Sequence, residues 1–147
     1  MKTIVALVDF SDVTTKVMQQ SEEMAKAFKA KVILLHAVPE VPVLVDIGIV
    51  SPTVLEPASD NQKEADYTKL TDLRNALASG GVNVSVNQLE DGNLEGIFEQ
   101  CERLGAELII VGAHHHSSLY NWWIGTCTND VLKRAHCPVL VVPADAS

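Results

Sequence analysis

Residues 108 to 128 read LIIVGAHHHSSLYNWWIGTCT, and they indicate the fold more clearly than any other stretch of the chain. The short, continuous Leu/Ile/Val run is typical of a parallel strand that is covered on both faces, and Gly112 marks its end. After Gly125 apolar residues recur at helical spacing, with Asp130 in the first turn. The stretch therefore predicts a buried strand, a polar loop rich in histidine, and a helix that begins near Gly125.

The start of that helix is a candidate anion site. Free backbone N–H groups and the positive end of the helix dipole favour an anion there, and glycine lets a phosphate approach the backbone. A simpler interpretation stays open, because Gly112 can serve only as a strand-end turn and Gly125 only as a helix entry.

The rest of the chain alternates strands with helices, which is typical of parallel βαβ units. With right-handed crossovers these units form an open, doubly wound α/β sheet with helices on both faces. Helices are expected after a cap at Ser11 or Asp12, near residues 62 to 78, after a cap at Asn93, and after Gly125. The five expected strands are Thr3 to Val8, Lys31 to Ala37, Val82 to Leu89, Leu108 to Gly112, and Pro138 to Val142.

The spacing around the histidine loop has a familiar pattern. Gly112 is followed by two residues and His115, then by nine residues, Gly125 and Thr126. This resembles the nucleotide-binding signature of the universal stress protein family, which is GxxG, nine residues, then G and S or T, with His115 at the second glycine. Further similar segments are IVALVDFSD at 4 to 12, KVILLHAV at 31 to 38, GAELIIVGAH at 105 to 114, and GTCTNDVLKRAHCPVLVV at 125 to 142.

The length of the chain predicts one domain over residues 1 to 147, and the resemblance implies the strand order 3-2-1-4-5. In such a sheet a ligand lies outside the carboxyl ends of the strands where the winding reverses, here between the first and fourth strands. Asp9 and Gly112 follow those two strands. An acidic side chain is thus expected beside the glycine loop, although Asp9 could also simply cap the following turn.

The resemblance also implies an adenine-nucleotide site for ATP or AMP. Adenine would lie against the backbone at Ala37 and Val38, ribose would approach Gly112 and His115, and phosphates would meet the N–H groups that begin the last helix. His115 has a Cβ and bulk that glycine lacks, but histidine tolerates the left-handed region better than most residues and can donate a hydrogen bond. The candidate binding residues are Asp9, Ala37, Val38, Gly112, His114, His115, Gly125, Thr126 and Cys127.

A metal site at His114, His115 and His116 is the alternative for the loop. Adjacent imidazoles do not converge readily on one ion, and no spaced carboxylate or cysteine nearby completes a tetrahedral set. No metal is therefore expected, and the loop is interpreted as polar and solvated. Trp122 and Trp123 are interpreted as anchors that hold this loop to the domain, with a partner contact as the alternative.

The sequence lacks the common motifs of ATPases, serine hydrolases and zinc proteases. It contains no GxxxxGK[ST], GxSxG or HExxH. His36 is expected to be a core or strand-end histidine rather than a catalytic one. No catalytic residue is assigned, and the expected function is a nucleotide-binding regulatory protein of the stress response. The alternatives are a weak ATPase and a dimeric interaction domain that acts without nucleotide.

Composition and charge limit the binding partners and the cellular location to be expected for this chain. The formal net charge is −8, from 11 basic and 19 acidic residues, which disfavours a nucleic-acid surface. No apolar stretch reaches membrane-spanning length, and the first residues resemble a strand rather than a secretory signal. Three cysteines without a CxxC pair favour free thiols in a cytoplasmic protein.

Two segments suggest contacts beyond the sheet. Residues 39 to 60 are irregular in pattern, with four prolines but too many apolar residues for a freely solvated loop. They are expected to form a lid over the site or to pack on a second subunit, with packing on their own domain as the alternative. Val139 to Val142 form an apolar edge strand, which predicts a homodimer paired through it, as the family resemblance also implies.

Overall fold

The computed structural model describes residues 1–38, 41–44, 53–56, 58–90, 94–113 and 134–143. Within them, a five-stranded parallel sheet carries helices on both faces, and two further strands form a separate antiparallel sheet. The elements in chain order are β1 (Thr3–Leu7), α1 (Thr14–Phe28), β2 (Lys31–Ala37), β3 (Val41–Leu44), β4 (Thr53–Glu56), α2 (Asp60–Ser79), β5 (Val84–Leu89), α3 (Leu94–Arg103), β6 (Leu108–Ala113) and β7 (Val139–Pro143).

The strand order confirms the expected winding. The main sheet runs β5-β2-β1-β6-β7, which is 3-2-1-4-5 when its strands are counted along the chain. β1 lies at the centre and pairs in parallel with β2 from Thr3↔Lys31 to Leu7↔Leu35 and with β6 from Ile4↔Leu108 to Ala6↔Ile110. The reversal of winding therefore lies between β1 and β6, as predicted.

Alternation of side chains along the buried strands creates two apolar layers. Ile4, Ala6 and Leu34 pack with residues of α1 and α2 on one face of the sheet. Val5 and Ile33 belong to the opposite face, where α3 covers them. Because successive side chains of a strand point to opposite faces, a continuous apolar run is what a sheet covered on both sides requires.

The start of α1 differs from the sequence prediction. Ser11 and Asp12 were expected to cap this helix, but the N-cap is Val13, which makes no side-chain capping bond. The backbone N–H of Ser11 instead donates to Asp9 Oδ1 at 3.0 Å, so the polar residues form a turn one step before the helix. The expected cap at Asn93 and the helix after Gly125 lie outside the described residues.

The segment expected to be irregular contains β3 and β4. They pair antiparallel from Val41↔Glu56 to Leu44↔Thr53. A two-stranded sheet tolerates Pro42 because proline can occupy an edge position where its missing N–H is not required. The hairpin leads into α2, which begins where the Ser59 hydroxyl accepts a hydrogen bond from the N–H of Gln62.

A search of the described helices for a membrane span found none that is both long and apolar enough.

Candidate functional site

Four of the predicted binding residues lie at the carboxyl ends of three adjacent strands. Asp9 follows β1, Ala37 ends β2, Val38 comes directly after it, and Gly112 is the second-last residue of β6. Because β1 lies between β2 and β6, these residues share one edge of the sheet. The other predicted binding residues, His114, His115, Gly125, Thr126 and Cys127, lie outside the described part of the chain.

A tight turn follows β1 at this edge. Asp9 uses Oδ1 to accept from the Ser11 N–H, and Phe10 between them has a φ of 61°. A left-handed conformation in a residue with a side chain costs about 1–3 kcal/mol and is often found at functional sites. The turn thus supports the interpretation of Asp9 as a capping residue, and it also fixes the position of the carboxylate beside the strand ends.

Two hydroxyl groups next to this turn are buried without a partner among the described residues. They are Ser11 Oγ and Thr14 Oγ1, and Thr14 is 7% exposed. A buried hydroxyl that makes no hydrogen bond loses the interactions it has in water, so such groups call for a physical explanation. A polar ligand at this edge of the sheet would supply one.

At the end of β2, the backbone groups of Ala37 and Val38 face different neighbouring strands. The N–H of Val38 donates to the Leu89 carbonyl at 2.9 Å, as the N–H of Val32 does to Asn83, so both point toward β5. The carbonyl of Leu35 accepts from Val8 and points toward β1. Backbone groups of alternate residues in a strand face the same neighbour, and the N–H and carbonyl of Ala37 therefore also face the β1 side.

The ladder between β1 and β2 stops just before Ala37. Its last register pair is Leu7↔Leu35, and its last bond is the one from Val8 to Leu35. The next bond of a continuing parallel ladder would join the Ala37 N–H to the Val8 carbonyl, and the described part of the structure does not contain it. Of the two predicted adenine contacts, Ala37 is thus the one whose backbone donor faces the gap beyond the end of the β1–β2 ladder.

Gly112 has a packing role. A Cβ added there would lie 2.5 Å from Val13 Cγ1 and 3.1 Å from Val17 Cγ2. Only glycine lets the first turn of α1 approach β6 this closely. This supports the simpler interpretation of Gly112, and it also means that α1 begins close to the point where the winding reverses.

A buried histidine and a buried aspartate lie beside the same edge. His36 and Asp66 are 4% and 5% exposed, and His36 Nε2 is 3.2 Å from Asp66 Oδ2. His36 Nδ1 is 2.8 Å from the Val8 carbonyl, and the ring centroid of Phe10 is 4.5 Å from that of His36. The expectation that His36 is a strand-end core residue is confirmed.

Helix α2 is attached to this edge by further polar contacts. Gln62 Nε2 donates to Asp66 Oδ1 at 2.9 Å, and Gln88 Nε2 at the end of β5 donates to the Lys63 carbonyl at 3.0 Å. Sequence reasoning did not single out Asp66, because an acidic residue in the polar first half of a helix gives no local signal of burial. The only hint was His36, a polar residue in an otherwise apolar strand.

Two described thiols differ in character from the groups at this edge. Burial raises the pKa of Cys101 to about 12, and the nearby Cys137 thiol adds to the rise. The pKa of Cys137 is also raised by burial. Thiols of this kind are poor nucleophiles, because the reactive species is the thiolate.

Comparison with known proteins gives a consistent result. The model of the universal stress protein family matches residues 1–143. A universal stress protein of Methanocaldococcus jannaschii is 30% identical over 141 residues, which cover 96% of this chain and 81% of the relative.

Solved structures share the fold. A universal stress protein from Archaeoglobus fulgidus in complex with dAMP has a TM-score of 0.67 at 19% identity, covering 97% of this chain and 98% of that one. A family member from Arabidopsis thaliana with AMP bound has a TM-score of 0.64 at 16% identity, covering 99% and 94%. The family match over residues 1–143 shows that this chain belongs to the universal stress protein family.

Proposed function

We propose that this chain is an adenine-nucleotide-binding regulatory protein whose site lies at the carboxyl ends of β1, β2 and β6. The observation that carries the proposal is the backbone of Ala37, whose N–H faces the β1 side beyond the end of the β1–β2 ladder. A backbone donor and acceptor side by side match the edge of adenine, which offers an acceptor nitrogen next to an amino donor. The dAMP and AMP complexes of structurally similar proteins support the same ligand class.

The rest of the proposed site follows from the edge of the sheet. The Asp9 carboxylate, and the hydroxyls of Ser11 and Thr14 that have no partner among the described residues, are suited to the polar groups of a nucleotide. We propose that the phosphates meet the N–H groups of Gly125, Thr126 and Cys127 at the start of the following helix, with His114 and His115 beside the ribose. A helix N-terminus favours phosphate through its free N–H groups and its dipole.

Calorimetric titration of the purified protein with ATP and with AMP tests this function. Gly125→Val places a branched side chain where phosphate must approach the backbone, so affinity should fall at least tenfold while thermal stability without nucleotide stays unchanged. His115→Gly should change affinity in either direction if the imidazole lies in the site. No heat with either nucleotide, and no nucleotide in the mass spectrum of the purified protein, would contradict the proposal and leave an interaction domain.

Phosphate release from ATP, measured on the same purified protein, distinguishes a binding protein from a weak ATPase. A binding protein should release no more than one phosphate per site over long incubation, whereas an ATPase should show multiple turnovers.

Three further features of the protein are part of the proposal. We propose that one domain spans residues 1 to 147 and forms a homodimer through β7, supported by the position of this strand at the edge of the sheet and by Val141, which is 45% exposed. We propose a cytoplasmic location, supported by the free thiols of Cys101 and Cys137.

A further inference from the structure

The contact between His36 and the Val8 carbonyl takes the place of a sheet hydrogen bond. In a longer β1–β2 ladder, the Val8 carbonyl would accept from the Ala37 N–H. Here that carbonyl accepts from His36 Nδ1 at 2.8 Å, and the register ends one residue earlier, at Leu7↔Leu35. The imidazole thus satisfies the acceptor that would otherwise draw Ala37 into the sheet.

The position of the imidazole is set from the opposite side by α2. Asp66 Oδ2 lies 3.2 Å from His36 Nε2, and Gln62 holds the other carboxylate oxygen at 2.9 Å. Phe10, in its left-handed conformation, packs its ring on the imidazole. With both nitrogens engaged and one face covered, the ring has little freedom to leave the Val8 carbonyl.

The atoms that face the two ring nitrogens show how the His36 imidazole is held in place. A carbonyl oxygen only accepts, so His36 Nδ1 must carry a proton. Nε2 lies 3.2 Å from Asp66 Oδ2, so the second ring nitrogen is held by the carboxylate. Both ring nitrogens are therefore held by oxygen atoms, and the imidazole cannot turn without losing both contacts.

We propose that His36, held by Asp66, is a positioning residue of the nucleotide site: it occupies the Val8 carbonyl and so keeps the Ala37 N–H available to the base. The inference rests on the proposed nucleotide function, which it deepens by assigning a role to residues that do not themselves touch the ligand. The ligand class is a purine whose ring nitrogen accepts from the Ala37 N–H.

The informative variant replaces both partners together. His36→Leu alone would leave the Asp66 carboxylate buried without its main partner, which is strongly destabilising, whereas exchanging a buried polar pair for apolar residues is often neutral. In the double variant His36→Leu/Asp66→Leu the Val8 carbonyl loses its donor. The ladder is then expected to extend by one bond, from the Ala37 N–H to Val8.

Asp66→Asn is the matched control. Its amide can keep the bond from Gln62 through Oδ1 and donate through Nδ2 to an unprotonated Nε2, while His36 Nδ1 continues to donate to Val8. This variant removes the carboxylate but keeps the imidazole in place. It should therefore behave like the wild type in the measurements below.

The test measures the hydrogen exchange rate of the Ala37 amide by NMR. A merely structural role of His36 and Asp66 would not change this rate. In the wild type this amide should exchange readily without nucleotide and become protected when ATP is added. In the double variant the Ala37 amide should exchange at least tenfold more slowly without nucleotide. ATP affinity, measured by calorimetry, should fall about three- to tenfold, which corresponds to the loss of one hydrogen bond.

The outcomes distinguish this inference from the function on which it rests. If the wild type binds ATP and the folded double variant binds equally well, or its Ala37 amide exchanges as in the wild type, the positioning role is wrong. If Asp66→Asn loses affinity as the double variant does, the role of the imidazole contact is also wrong. If the wild type binds no nucleotide, the proposed function fails, while protection of Ala37 in the double variant would still establish the effect of His36 on the ladder.

Discussion

At Gly112 a packing requirement and a proposed binding role fall on the same residue. A Cβ at this position would lie 2.5 Å from Val13 and 3.1 Å from Val17, so any side chain forces the first turn of α1 or its side chains to shift. A glycine in a binding motif can therefore be required by the fold alone. Its presence is weak support for a ligand unless another residue at the same edge, such as Ala37, points to one.

Gly112→Ala is expected to lower the free energy of unfolding by about 1–3 kcal/mol, because overpacking a buried contact has a cost of this size. Chemical denaturation measures the change. The double variant Val13→Ala/Gly112→Ala removes both methyl groups of Val13, including the nearest one, and should lose less stability than the sum of the two single changes. Strict additivity would show that the Cβ does not meet Val13.

Cys101 illustrates how burial controls reactivity at a single residue. Its pKa of about 12 means that only about one thiol in ten thousand is ionised at pH 8. Cys101 is fully buried, whereas Cys137 is partly exposed. The raised pKa and the burial of Cys101 both protect its thiol from alkylation in the folded protein.

Iodoacetamide at pH 8, followed by peptide mass mapping, should label Cys137 faster than Cys101, and Cys101 only after denaturation. Mapping assigns each cysteine separately, so other thiols do not interfere. Raising the pH to 10 should leave Cys101 largely protected, because its folded-state pKa lies above that pH. Labelling of Cys101 in the native protein at the rate of Cys137 would show that it is not buried as the structure has it.

At the scale of elements, the strands were the most predictable part of the molecule. The runs at β2 and β6 are apolar without interruption, and a strand covered on both faces requires this whatever the rest of the chain does. The start of α1 was missed because several polar residues in a row could each cap a helix, and the turn at Asp9 decides between them. The β3–β4 hairpin was missed because its prolines weaken the local signal for strands.

The candidate site was predictable only where local pattern or family resemblance reached it. Asp9 and Gly112 follow from strand ends, and Ala37 follows from the resemblance. Asp66 lies 30 residues from His36 in sequence, and their contact depends on how α2 packs on the sheet. Such a long-range pair leaves no periodic trace in a single sequence.

The hairpin leads into α2, and α2 is attached through Asp66 and Lys63 to the edge of the sheet that is proposed to bind nucleotide. We therefore expect the segment from 41 to 57 to respond to ligand as a lid. Limited proteolysis should cut within this segment, and saturating ATP should slow the cleavage several-fold. The Gly125→Val variant provides the control, since it should show no effect of ATP. Equal cleavage rates with and without ATP in a protein that binds it would contradict a lid.

At the scale of the whole molecule, the sheet has two edges with different character. β5 and β7 are its outer strands. β5 carries polar residues such as Ser85 and Asn87, whereas β7 has the sequence VLVVP and leaves Val141 45% exposed. An apolar edge strand with free backbone groups is prone to pair with another chain, and natural proteins protect such edges with charges when they remain single. β7 carries no charge, which favours its use as an interface.

Val141→Lys is therefore expected to abolish the proposed dimer. A lysine on an edge strand opposes pairing, because the charge must be desolvated in the interface. Ser85→Lys is the matched control, since it adds the same charge to an exposed position on the opposite edge and should leave the dimer intact. Sedimentation velocity at high micromolar protein measures the change, and a wild type that is strictly monomeric there, or a Val141→Lys variant that stays dimeric, would exclude pairing through β7.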